Sequence, residues 1–461
     1  MKRLRLPNTF ILLLAILALI TLATWFVPGG KYETLQVAGR SVVDPGSFRY
    51  VASQPQGLVA FLKAPIRGFV EAAQIIGFVL VVGGAFAVLQ KTEAIDAGIK
   101  AVARAHAHSR FVRAALIPLF VTLFSLGGAT FGMSEEAIPF VLIFIPLALA
   151  LGYDRIVGVA IPFVGSQVGF AAAFLNPFNV GIAQGIAGIP VFSGMYYRFF
   201  VWVVATAVTI LFLMWYAARV KADPARSPTH AQDMAERGLG HAPLTFDAMT
   251  RTHGAVLAIF ALALGTMVVG VVGYGWFIDE IAALFMAMAV LVALVGRLGS
   301  DDTVAAFVQG ARDLVGTALV IALARATLVI ARDANIIDSM LHGLTPLVQS
   351  AHPVIAAQKM FLIQSVINFF IHSGSGQAAL TMPLMAPLAD LVGVSRQTAV
   401  LAFQFGEFTT PMIPTSGITV GVLALARIPW LTWAKWMVPL QLAYLVLALL
   451  LLIPPVLMGW S

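Results

Sequence analysis

The chain has no cysteine. That excludes a disulfide framework and a thiolate metal site, and it removes the usual clue to redox compartment. Charge is almost as scarce. Lys, Arg, Asp and Glu make up 11% of the 461 residues, against roughly 25% in soluble domains. A water-soluble surface cannot be built from so little, so the length does not describe three soluble domains of ordinary size. What is abundant is apolar: 60% of residues, with a mean hydropathy of +0.93. Several apolar runs are long enough to cross a hydrocarbon core of about 30 Å, and helices satisfy their own backbone in lipid. The composition therefore specifies an all-α polytopic membrane protein embedded in a lipid bilayer. A net charge of +7 would be a footprint for an acidic partner only if clustered on an exposed face. Spread over loops it reports the cytoplasmic side of a membrane protein, and nucleic-acid binding drops out.

The first apolar stretch, Thr9 to Val27, follows Lys2, Arg3 and Arg5. It is a full span long and carries Trp25, Phe26 and Pro28 where signal cleavage needs small residues, so it reads as a first span. Further spans are expected at Ile75–Leu89, Ile156–Gln184, Phe199–Trp215, Ala255–Val272, Ile281–Val295, Leu314–Ile330, Thr398–Leu425 and Met437–Leu457. Two stretches, Ala114–Leu151 and Met360–Leu391, each hold two apolar arms around a polar, glycine-rich middle. Each can be two spans or one re-entrant hairpin. Placing Lys and Arg on the cytoplasmic side favours hairpins and a cytoplasmic N-terminus in a bacterial inner membrane, although Lys31, Arg40, Arg49, Lys63 and Arg67 then fall in an outer segment. The largest inner segment, Lys221 to Arg251, is a polar linker whose neighbouring His230, His241 and His253 have no metal-ligand spacing.

Dividing the chain at that linker exposes a repeat. Gly152-Tyr153-Asp154-Arg155 follows the first hairpin and precedes a span interrupted at Asn176-Pro177-Phe178-Asn179. Gly393-Val394-Ser395-Arg396 follows the second and precedes a span interrupted at Pro411 and Ile413-Pro414-Thr415-Ser416-Gly417. An odd number of spans separates the hairpins, so the halves are inverted. The expected organisation is a first helix and outer loop over 1–67, a first repeat over 68–218, a linker over 219–253 and a second repeat over 254–461. Inverted halves with interrupted helices are the signature of a secondary transporter. Unwound backbone is tolerated at membrane depth only where it lines a cavity or is buried in protein.

Phe131-Gly132-Met133-Ser134-Glu135-Glu136, Asn176-Pro177-Phe178, Ser373-Gly374-Ser375-Gly376-Gln377-Ala378 and Ile413-Pro414-Thr415-Ser416-Gly417 carry a family resemblance. At these motifs, and over most of the chain from Val27 onward, the sequence resembles the YfcC-like carriers, grouped with the anaerobic C4-dicarboxylate carriers in the ion-transporter superfamily. The resemblance implies two hairpins, two broken helices, a homodimer and an elevator-type movement. The family includes dicarboxylate carriers and basic amino-acid antiporters, so it fixes no substrate. The chain departs from the family at His372, where proline is expected, and at Gly406-Glu407-Phe408-Thr409-Thr410, which replaces a Gly-Asp-Gly-Phe-Thr-Asn-like run.

The candidate site residues lie at the tips and breaks. Ser134 and Ser375 are placed to cap the returning arms of the hairpins, and Asn176 before Pro177 has the form of an N-cap followed by proline. Helix N-termini converging on one place favour a carboxylate. No cofactor is implied, but coupling to a proton or to sodium is compatible with the site. Sodium would use hydroxyls and carbonyls near Ser134, Asn176, Ser375 and Thr415. Thr130, Asn179, His372, Ser373, Gln377 and Ser416 complete the polar set. Glu135 and Glu136 are the sharpest residues, because a carboxylate at membrane depth is costly; a glutamate in a first helical turn can also simply complement the dipole. Glu407 can bind a cation or proton or pair with a base, and Arg325 can hold a substrate carboxylate or pair with a buried acid. An intramembrane hydrolase would need a nucleophile with a base or metal pair, for which Ser373 or Ser375 beside His372 is a weak signal. A channel would not need inverted broken helices. The charge set favours an arginine- or ornithine-like substrate over a C4-dicarboxylate, since the acids would repel a second carboxylate unless neutralised.

Overall fold

The computed structural model describes residues 9–37, 40–44, 46–240, 249–274, 276, 278–348 and 352–460. Lys2, Arg3, Arg5 and His241 lie outside them. The described residues form an all-α polytopic membrane protein. The helices Phe111–Thr130, Met195–Ala222, Ile278–Val295 and Trp430–Leu457 are each long and apolar enough to cross a bilayer. Strand is confined to two small antiparallel ribbons in the polar segment after the first helix, Gly30–Lys31 against Arg49–Tyr50 and Thr34–Val37 against Arg40–Val43.

Two of the expected runs are joined at a sharp bend to a preceding helix. The run expected at Ile75–Leu89 is the helix Ala73–Lys91, and the helix Leu58–Glu71 precedes it at a 60° bend. Likewise the run at Leu314–Ile330 is the helix Val315–Asp333, preceded at a 40° bend by Ser300–Asp313. The leading helices carry Lys63, Arg67 and Glu71, and Asp301, Asp302, Arg312 and Asp313. These charges interrupt the apolar signal although the helix continues. Lys63 and Arg67 therefore sit on a helix and not in an outer loop.

Each of the two stretches with a polar, glycine-rich middle is a pair of helices joined by a short tip. In the first, Arg110–Phe131 stops at Gly132, whose φ of +79° suits a residue without Cβ, and the chain returns through a 3₁₀ turn, Glu135–Ala137, into Ile138–Ala150. Phe120 meets Phe144 and Phe124 meets Phe140 edge to face, the order of antiparallel arms. In the second, Pro353–Asn368 returns as Gly374–Leu391. Glycine also sets how closely the first hairpin packs on its broken helix. A Cβ at Gly128 would stand 2.1 Å from the Ser166 carbonyl oxygen, and one at Gly169 would stand 1.9 Å from that of Ser125.

The broken helices run in opposite directions between two faces. The first begins with Arg155–Ala160, capped by Asp154, continues as Pro162–Ala171, opens at Ala172 to Leu175 and resumes from Pro177 to Ala187. The second begins with Arg396–Gly406, capped by Ser395, opens after the turn Glu407–Thr409 and resumes as Gly417–Leu425. Arg155 donates through Nη1 to the Ala426 carbonyl at 3.0 Å, and Arg396 donates through Nη1 to the Ala187 carbonyl at 2.7 Å. Thus the start of each broken helix is bonded to the end of the other, as inverted halves require. The linker covers the face that carries Arg155. Asp233 pairs with Arg155 at 2.5 Å with both side chains buried, Ser227 donates to Asp154 at 2.7 Å, and Gln232 donates to the Arg427 carbonyl. At the opposite face Arg396 pairs with Asp390, and Ser395 donates to the Trp460 carbonyl.

Candidate functional site

Both hairpin tips reach a cavity of about 320 Å³. The first tip supplies Gly132, Ser134, Glu135 and Glu136 to its wall, and the second supplies His372, Ser373, Gly374 and Ser375. Across from them stand Ile321 and Arg325 of Val315–Asp333, and Glu71, Ala72 and Gln74 at the bend between Leu58–Glu71 and Ala73–Lys91. Phe170, Phe178, Trp276 and Ile418 close the apolar part. Four chain starts that follow a cap or a break touch this space: Glu135, Phe178, Gly374 and Gly417. The Phe178 amide is taken by Asn176, while Gly374 and Gly417 begin α-helices, whose N-terminal ends carry the partial positive charge that favours an anion.

The capping pattern differs from the expected one at both tips. Ser134 makes no side-chain cap. Its Oγ accepts from Gln167 Nε2 at 3.0 Å, and its amide donates to Glu136 Oε2 at 2.8 Å. The cap function has passed to Glu136, which reaches back to the residue before the turn in the manner of a capping box. Both glutamates lie in the cavity wall, and Glu136 is the one whose carboxylate is bonded to the Ser134 amide. At the second tip the capping serine is Ser373, whose Oγ accepts from the Gly376 amide at 3.4 Å; Ser375 lies 3.5 Å from Ser373 Oγ and caps nothing. The apolar run at either tip shows a Ser near a helix start and not which one turns inward.

Asn176 caps as its sequence form indicates. Its Oδ1 accepts from the amides of Phe178 at 2.8 Å and Asn179 at 3.2 Å, and its Nδ2 donates to the Gly128 carbonyl. It stands behind the cavity wall, as does Asn179, whose Nδ2 donates to the Phe170 carbonyl. Thr130, Gln377, Glu407, Thr415 and Ser416 also lie outside the lining. Thr130 donates to the Leu126 carbonyl, Gln377 to the Gln364 carbonyl and Oε1, and Thr415 to the Phe369 carbonyl. Ser416 caps Gly417–Leu425 through the Thr419 amide. Glu407 is buried at the second break and accepts from Thr410 at 3.0 Å, while its Oε1 has no partner. Arg325 stands 3.5 Å from Glu71, an acid that is partly exposed and not the buried one the sequence suggests. Glu71, Gln74 and Trp276 were not legible as site residues, because nothing in the sequence shows that the bend at Ala72 faces the tips. Among the described residues no group of three or more His, Asp or Glu side chains is placed to hold a metal.

The comparisons with known proteins agree with this architecture. The model of the C4-dicarboxylate anaerobic carrier family matches residues 6–456. The chain belongs to that family. Its members are carriers, so this chain is a membrane transporter of a small-molecule substrate and is not read as an enzyme. It is similar to the Escherichia coli protein named "Putative basic amino acid antiporter YfcC", with 38% identity covering 94% of this chain and 93% of that protein. A Haemophilus influenzae protein of uncharacterised function is 28% identical, covering 98% and 97%. Among solved structures, the YdaH transporter of Alcanivorax borkumensis aligns over 98% of this chain and 99% of its own at a TM-score of 0.44 and 17% identity, too remote to inform the site.

Proposed function

We propose that the chain is a secondary active transporter in a bacterial inner membrane that carries an amino acid with a cationic side chain, arginine- or ornithine-like, by exchange. The observation that carries this reading is the pairing of chemistries in one cavity. Helix starts and Arg325 offer an anion-binding side, and Glu135 offers a carboxylate not spent on capping. A basic amino acid has one carboxylate and one distant cation, and so answers both. The name carried by the 38% identical relative points the same way.

The hairpins are read as re-entrant, the linker face as cytoplasmic together with the N-terminus, and the body of hairpins and broken helices as the part that moves in an elevator cycle. A homodimer, and coupling to sodium or a proton, belong to the same reading. An ion-coupled C4-dicarboxylate carrier is the second reading. It is favoured by one observation, that Glu136 is engaged with the Ser134 amide and Glu71 with Arg332, which leaves Glu135 as the principal acid facing substrate.

Exchange of labelled arginine and labelled succinate by the same proteoliposomes separates the two. Arginine exchange that falls at least tenfold in Glu135→Gln supports the basic amino-acid reading. Succinate exchange without arginine exchange, unaffected by Glu135→Gln, assigns the chain to the dicarboxylate carriers.

A further inference from the structure

The seam between Leu58–Glu71 and Val315–Asp333 is lined with paired charge that continues from Arg325 away from the cavity. Arg67 pairs with Asp333. One turn later Glu71 closes its helix and takes Arg332 in a two-pronged contact, Nη2 to Oε1 and, at 3.2 Å, Nη1 to Oε2. Arg325 stands seven residues before Arg332, two helical turns away on the same face, and brings its Nε to 3.5 Å from Oε2, the oxygen that already accepts from Arg332 Nη1. This contact lacks hydrogen-bond geometry, and the buried Nε of Arg325 has no hydrogen-bond partner. The seam therefore has three guanidinium groups for two carboxylates. The least satisfied of the three, Arg325, is the one in the cavity wall.

A guanidinium presents a planar fork of donors that matches a carboxylate in two parallel bonds. The Arg325 side chain is partly exposed, but its Nε is buried, and a buried donor left without an acceptor is costly. Glu71 already has a full partner in Arg332 and can let Arg325 go without being left alone. We propose that Glu71 is the resident counter-ion of Arg325, and that the substrate carboxylate replaces it there while Glu71 remains on Arg332. Glu71 is then a competitor that sets affinity for the carboxylate end of the substrate. It also links occupancy of the cavity to the seam between the two bent spans. This inference rests on the reading that the substrate carries a carboxylate.

The test uses the full-length protein in proteoliposomes, with labelled L-arginine and labelled succinate as probes. If Glu71 competes, Glu71→Gln frees Arg325 and lowers the KM of the transported probe several-fold. Arg332→Gln turns Glu71 wholly onto Arg325 and raises that KM several-fold. Loosening of the seam alone would move both variants in the same direction, so changes of the same sign overturn the proposal. A ligand-free arm does not depend on substrate. The double variant Glu71→Gln/Arg325→Gln should melt measurably higher than the summed losses of the two single variants predict, because the pair is already made in the empty protein. Additive losses overturn the proposal. If neither probe is exchanged, the functional reading fails, and the melting cycle still decides whether Glu71 and Arg325 are coupled.

Discussion

At the first hairpin tip a glutamate, Glu136, reaches back to the Ser134 amide while Ser134 is held by Gln167; at the second tip no acid is present, and Ser373 caps a glycine-rich helix start beside His372. The clasps at the two faces differ in the same way. Arg155 and Asp233 form a buried pair beneath the linker, with side chains 3% and 6% exposed, whereas Arg396 and Asp390 form an open pair, 40% and 48% exposed. The inverted halves thus keep one backbone plan and one pattern of cross-bonding while the side chains that execute it have diverged. What the repeat preserves is the requirement to satisfy opened backbone. What it leaves free is the charge at the tips.

The largest expected effect concerns the sides of the membrane on which the two clasps lie. With no native cysteine, the exposed positions Ala225 beside the first clasp and Leu391 beside the second can each be replaced by cysteine and treated with an impermeant thiol reagent. Labelling should be all-or-none, Ala225→Cys from the cytoplasm only and Leu391→Cys from outside only. Reaction of both from one side would remove the inverted arrangement.

Next in size is the contrast in burial. Arg155→Ala leaves Asp233 buried without its guanidinium, and breaking a buried pair in this way costs about 3–5 kcal/mol. Arg396→Ala removes an exposed pair of a kind worth roughly 0–1 kcal/mol. Thermal unfolding in detergent should therefore show a large fall in melting temperature for Arg155→Ala and a small one for Arg396→Ala. Equal shifts would mean that the carbonyl contacts to Ala426 and Ala187, and not the carboxylates, dominate both clasps.

The smallest effect sharpens the second tip alone. Loss of a serine cap costs about 0.5–2 kcal/mol, so Ser373→Ala should destabilise the returning arm and reduce transport by several-fold. Ser375→Ala, which removes no cap, should leave stability unchanged. A transport defect in Ser375→Ala without a stability defect would give that hydroxyl a role with substrate or ion.

Much of this protein was written in its sequence because membrane helices are local objects. Apolar runs, the matched Gly-Tyr-Asp-Arg and Gly-Val-Ser-Arg turns and the paired Asn-Pro and Pro-Thr-Ser breaks made the helical class and the positions of the two tips and two breaks legible. Lipid offers the backbone no partner, so any break must be marked by residues that repair it, and Asn176 and Ser416 do so where the sequence places them. Tertiary structure alone decided which polar groups share a cavity. It drew Glu71 and Gln74 to the tips through a bend that charged amphipathic helices concealed, and set Glu407, Gln377 and Thr415 away from the lining. It also chose Glu136 over Ser134 and Ser373 over Ser375 as caps. Ser134 Oγ is engaged by Gln167 and caps nothing, a contact between residues 33 positions apart that only the packing of the hairpin on the broken helix creates.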